Sequence, residues 1–152
     1  MDKDRQNIRR LLWRWGDVAK FCANQHRELS QYNDLIASAT GIKAINIDGM
    51  PHGSMVGRPT ECAVERVLRL KEMYEERIAW AVEAIDKELR FEAAVNDAMG
   101  CLNQSERAVI ELRYKRRYSF LRIARELKYA EATIKAKEKK AVEKLSKRII
   151  IE

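Results

Sequence analysis

Three side chains in one short stretch, Glu131, Thr133 and Lys135, carry groups suited to the edges of base pairs. A carboxylate accepts from the cytosine amine. A threonine reaches a base edge or the thymine methyl, and an ammonium donates to guanine. Around them lie Lys115, Arg116, Arg117, Ser119, Arg122, Lys137, Lys139 and Lys140, whose cations and hydroxyl suit phosphate oxygens. From Leu102 to Glu152 there are 15 Lys/Arg and 7 Asp/Glu, a net charge of +8, against −1 for the preceding residues. Neutralising phosphates releases condensed counterions, so such a block is an electrostatic footprint for nucleic acid. A basic block alone is more often a solvated face, so the finer pattern must decide.

That pattern is helical. Asn103 and Glu106 have the spacing of a capping box, and Ala108, Val109 and Leu112 follow at helical intervals to an end near Tyr114. Lys115-Arg116-Arg117 falls in a turn. Ser119 is a good N-cap for a second helix, with Phe120, Ile123, Ala124 and Leu127 on one face. After the turn Lys128-Tyr129-Ala130 comes a third helix, with Ile134, Ala141 and Leu145 inward and Lys135, Lys139 and Lys140 outward. The small Ala124 lets two steeply crossing helices approach, and Ile134 fills the gap between them. The expected arrangement is a helix-turn-helix whose third helix lies in the major groove.

The string from Leu102 through Glu106-Arg107-Ala108-Val109-Ile110, Leu112-Arg113-Tyr114, Ser119, Ile123-Ala124, Leu127, Thr133-Ile134 and Ala141 to Lys144-Leu145 resembles region 4 of bacterial sigma factors. The resemblance implies a domain that reads the promoter −35 element and docks on RNA polymerase. The LuxR-type output domain is the nearest alternative, but it usually has Gly before the Ser of the second helix, where Arg117-Tyr118 stands here. Lys128 occupies a turn position where Gly is usual, because positive φ is favoured there. Ala130 stands in place of a polar N-cap, at a cost of about 1 kcal/mol. Ala132 and Ala136 replace polar side chains that often read bases in that family, which leaves Glu131, Thr133 and Lys135 as the base-reading candidates.

The elements that must present this head are two long helices. Of 6 Gly and 2 Pro, all but Gly16 and Gly100 lie between Gly41 and Pro59. The first helix is expected at about 4–38. Ile8, Trp15, Cys22, Leu29 and Ile36 recur every seventh residue, and Leu11, Val18, Gln25, Tyr32 and Ala39 lie three further on. The second is expected at about 59–98, capped by Thr60, with Val67, Leu70, Tyr74, Ile78, Ala81, Ile85 and Leu89 as its stripe. The expected fold class is all-α: a long antiparallel hairpin (residues 1–98, loop 40–58) used for assembly, followed by a three-helix reading head (99–152). The stripes exceed what one helix pair readily hides, so a homo-oligomer is expected. A fragment from about Asn96 to Glu152 is expected to bind duplex DNA weakly, and a fragment 1–95 not at all.

Between the helices, Ile47-Asp48-Gly49-Met50-Pro51-His52-Gly53 has strong turn chemistry. Placed before a long helix, it resembles the N-terminal part of the ArpU/RinA-like late transcriptional activators of phages and prophages. That resemblance implies a regulator that switches on packaging and structural genes.

Other chemistry is not expected. Cys22 and His26 lie four apart, and His52 and Cys62 could join them, but no CxxC or HxxxH pair pre-forms a metal site. His52 beside Asp48 reads as a turn contact, with no nucleophile near it. Neither catalysis nor a cofactor is expected. No stretch approaches the ~20 apolar residues of a membrane span, no signal peptide is visible, and three widely spaced cysteines suit a reducing cytoplasm. The expected partner is double-stranded DNA, with RNA polymerase as a second candidate. The alternative reading is a sigma-like or anti-sigma-like adaptor that binds polymerase without reading DNA itself.

Overall fold

The computed structural model describes the backbone of residues 2–45 and 59–149, and the side chains of 2–38 and 64–149. The turn at 47–53 with His52 therefore lies outside the described residues, as do the side chains of Thr60 and Cys62; the backbone of Thr60 lies within α2, which begins at Pro59. Among the described residues there are helices and no strand. Two long helices, α1 (Asp2–Ile45) and α2 (Pro59–Met99), precede three short ones: α3 (Gln104–Ile110), α4 (Phe120–Leu127) and α5 (Glu131–Arg148). A π-helical turn, Glu111–Lys115, continues α3. No described helix is long and apolar enough to cross a membrane.

The chain divides into two compact units, Met1–Phe21 with Lys87–Glu152, and Cys22–Asp86. In the second, the heptad reading of α1 holds: Cys22 and Gln25 are buried and Leu29, Tyr32 and Ile36 partly so. Tyr32 packs on Tyr74 of α2, with ring centroids 5.4 Å apart. Val67, Tyr74, Ile78, Ala81 and Ile85 face inward to differing degrees, but Leu70 is exposed, contrary to the expected stripe. Leu89, which falls in the first unit, is exposed as well. The inward line of α2 repeats every seven residues through Val67, Tyr74 and Ala81, and Leu70 and Leu89 fall off it.

The first unit holds the larger core. Ile8, Leu12 and Trp15 of α1 pack with Val95 and Met99 of α2 against Leu102, Ile110, Tyr114, Ala141, Val142 and Leu145. The first turns of α1 are thus structural parts of the C-terminal head. Trp15 is 1% exposed, and its indole N–H donates to Asn96 Oδ1 at 3.1 Å. A fragment beginning at Asn96 lacks Ile8, Leu12, Trp15 and Val95, and leaves the facing side of α5 and the π turn open to water. Such a fragment would have to bind DNA without this part of the core.

Candidate nucleic-acid interface

The head assembles from local signals. Asn103 Oδ1 accepts from the Glu106 N–H at 2.8 Å, and Glu106 Oε2 accepts from the Asn103 N–H at 3.2 Å, which completes the expected capping box. Ser119 caps α4, its hydroxyl accepting from the Arg122 N–H at 3.2 Å. Val109, Ile123, Ala124 and Ile134 form a second buried cluster where α4 meets α5, so the small residue and the plug sit as the spacing indicates. Lys128 ends α4 with φ 58°, the left-handed conformation that the usual glycine supplies without strain. Ala130 begins α5 with no side-chain cap.

Two buried carboxylates fasten the head: Glu106, which the pattern reading gives only as a cap, and Glu138, which it does not single out. Glu138, on α5, is 3% exposed. Arg9 of α1 grips it with two bonds of 3.0 Å, from Nε to Oε1 and from Nη2 to Oε2, and the Tyr114 hydroxyl donates to Oε1 at 2.7 Å. Burial, then the bond to Glu138, pushes the Tyr114 phenol far above its ordinary pKa, so it stays a donor. The Glu138 bond and charge hold the Arg9 guanidinium above its ordinary range against the opposing effect of burial. Glu106 is 2% exposed. Burial works to raise its pKa, but bonds from Lys144 Nζ at 2.9 and 3.1 Å, the Asn103 N–H and the nearby Lys140 charge hold it below the usual carboxylate range. A charged residue at helical spacing reads as solvent-facing from sequence alone. Only the partners from α1 and the π turn make Glu138 an inward residue.

The outer face of α5 carries the base-reading candidates. Glu131, Thr133 and Lys135 are all exposed, as are Ala132, Ala136, Lys139 and Lys140. Lys135 pairs with Glu131 one turn away at 3.3 Å, so two of the three candidates neutralise one another in the absence of a ligand. The phosphate candidates do not form one set. Lys139, Lys140 and Arg116 are exposed. Lys137 is partly buried, bonded to Ser105 Oγ at 2.9 Å and set over the Tyr129 ring. Arg122 lies on the Tyr118 ring, 3.7 Å from its centroid. Ser119 spends its acceptor on the cap. Lys115 lies over the Trp15 ring and 3.7 Å from Glu92. Arg117, at φ 60°, lies over the Trp13 ring and pairs with Asp17. The turn Lys115-Arg116-Arg117 is therefore partly tied to α1 and α2.

A cavity of about 400 Å³ opens beside α5, between the Lys135 and Lys139 side of that helix and Arg9 and Trp13 of α1. Arg113, Tyr114 and Phe120 line it from the π turn and α4. Arg113 and Trp13 were not among the expected contacts. Arg113 does fall inside the sigma-like string, but no periodicity singles it out.

No curated protein and no solved structure matches the chain. Residues 98–147, which hold α3, the π turn, α4 and nearly all of α5, match the family model described as Sigma-70, region 4, so in this segment the chain is similar to a sigma-70 region 4 helix-turn-helix.

Proposed function

We propose that the chain is a sequence-specific DNA-binding transcription regulator that inserts α5 into the major groove. The carrying observation is a coincidence: the segment matching the sigma region 4 family is the basic part of the chain, and its α5 exposes Glu131, Thr133 and Lys135. That family is a regulatory DNA-binding domain, not an enzyme. Lys139, Lys140 and Arg116 take phosphates in this reading, and Glu131, Thr133 and Lys135 take base edges, the Glu131–Lys135 pair opening on contact. As a functional division, residues 99–152 read DNA on a core shared with the first turns of α1 and the end of α2, and the remainder of residues 1–98 serves assembly. Exposed Leu68, Met73, Trp80 and Val82 on α2 support self-association. The finer assignment, a phage-type activator of late genes acting in the bacterial cytoplasm, rests on the resemblance of residues 47–53.

The test is selection of binding sites from random duplex DNA with the full chain. Enrichment of one motif, with affinity falling steeply as salt rises, is expected. Failure of any sequence to enrich would overturn the reading. A second reading, an adaptor that binds RNA polymerase and not DNA, is favoured by one observation: Ala132 and Ala136, both exposed on α5, carry no hydrogen-bonding side-chain group. Capture of core polymerase by the full chain, without enrichment of any duplex, would establish it.

A further inference from the structure

The second unit buries little for two helices of its length. Among its described residues only Cys22, Gln25, Ala81 and Ile85 are buried. Of these, Gln25 holds an amide oxygen that accepts no hydrogen bond, so the seam contains an unsatisfied polar group. The large apolar side chains stand open instead. Tyr32 on Tyr74 sets the two helices side by side. Helical periodicity then puts Leu35 of α1 and Leu70, Met73 and Trp80 of α2 on one side of the hairpin. All four are exposed, Trp80 by 63%. Together they open roughly 400 Å² of apolar side chain, taking ~200 Å² for a fully exposed large residue. A standard interface buries ~800 Å² per partner, of which roughly 500 Å² is apolar, so this side alone supplies most of what a stable dimer needs. At the level between Met73 and Trp80 stand Glu28 of α1 and Arg77 of α2, both exposed and of opposite sign. The middle of this side therefore carries no net charge against its own copy. The other side of the hairpin differs. There α2 shows Val64, Leu68 and Val82, but α1 answers with His26 and Asn33, so the apolar surface is confined to one helix.

We propose that the side of the hairpin carrying Leu35, Leu70, Met73 and Trp80 is a docking face for a second copy of the chain, the two hairpins closing into a four-helix bundle about a two-fold axis. The proposal rests on the assembly role given above to the hairpin and narrows it to one face, which excludes Leu68 and Val82. A two-fold contact is self-complementary: each copy offers its Trp80 to the apolar face of the other. A large aromatic among apolar side chains with a polar surround is the usual energetic centre of an interface. Four helices also bury what two cannot, because each apolar stripe gains a second layer. The two DNA-reading heads are then tethered, and the second contact with a duplex becomes intramolecular.

The test weighs the full chain in solution, without DNA, by sedimentation equilibrium across the micromolar range. The wild-type chain should reach twice its own 17.7 kDa. Trp80→Glu should raise the dimer dissociation constant at least about thirty-fold, the effect of losing an interface hot spot. Because Trp80 is exposed, the circular dichroism of that variant should match wild type. Met73→Glu should act in the same direction. Leu68→Glu and Val82→Glu, on the other flank of α2, should stay dimeric. A wild-type monomer throughout this range would overturn the proposal. So would a dimer that survives Trp80→Glu and Met73→Glu, or one that dissociates as readily on Leu68→Glu. The functional reading fails separately: a chain that dimerises through this face but enriches no duplex would keep the interface and lose the DNA-binding reading.

Discussion

Gly16 and Tyr114 meet backbone to backbone: a Cβ on Gly16 would lie 2.7 Å from the Tyr114 carbonyl carbon, closer still to its oxygen, and 3.3 Å from the Lys115 nitrogen. The glycine in the middle of α1 is the gap into which the π turn fits. In an exposed helix, Gly→Ala gains about 1 kcal/mol. Here Gly16→Ala should destabilise by roughly 1–3 kcal/mol, the usual cost of overpacking, because backbone cannot swing aside. Thermal unfolding checks this. A raised midpoint would mean that α1 does not lie on the π turn.

The same contact makes the head depend on α1. Trp15→Ala should cost about 3–5 kcal/mol, the usual range for a buried aromatic, and should speed hydrogen exchange of α5 amides. Exchange that accelerates only along α1 would show that the head folds without it.

Lys128 and its turn give a prediction of the opposite sign. A non-glycine residue at φ 58° is strained by about 1 kcal/mol relative to glycine. Lys128→Gly should raise the denaturant midpoint accordingly, with an unchanged dependence on denaturant concentration.

The depressed pKa of Glu106 couples stability to pH. A carboxylate whose folded-state pKa lies below its unfolded value stabilises the fold in full above that value, near 4.5, and loses the contribution as pH falls through the folded pKa. Stability should therefore decline below about pH 4.5, and Glu106→Gln should be less stable at neutral pH with a shallower decline in acid. Equal acid sensitivity of the two proteins would assign the effect elsewhere.

Specificity and affinity should separate along the interface. Thr133→Ala should reduce discrimination between the selected site and its variants by about 1–3 kcal/mol, the worth of a base contact. Arg116→Ala should weaken all duplexes alike and flatten the salt slope by about one. Quantitative band-shift titrations at several salt concentrations distinguish the two patterns. Equal losses on specific and random DNA for Thr133→Ala would remove it from the reading set.

What was legible in the sequence is what short-range physics decides. The Asn103–Glu106 box, the Ser119 cap, the left-handed Lys128 and the Ala124–Ile134 crossing all depend on residues near one another in the chain, so their spacing carries the geometry. The heptads of α1 likewise announce that a stripe is buried. Periodicity does not say against what, and the stripe alone left Trp15 open to hairpin, partner copy or head. Only the tertiary structure brings α1 onto α5 and the π turn, and with that it decides why residue 16 is glycine and why Glu138 points inward. These features arise from groups far apart in the chain, as with Arg9 and Glu138, 129 residues apart, and no local pattern encodes a burial whose partner lies so far away.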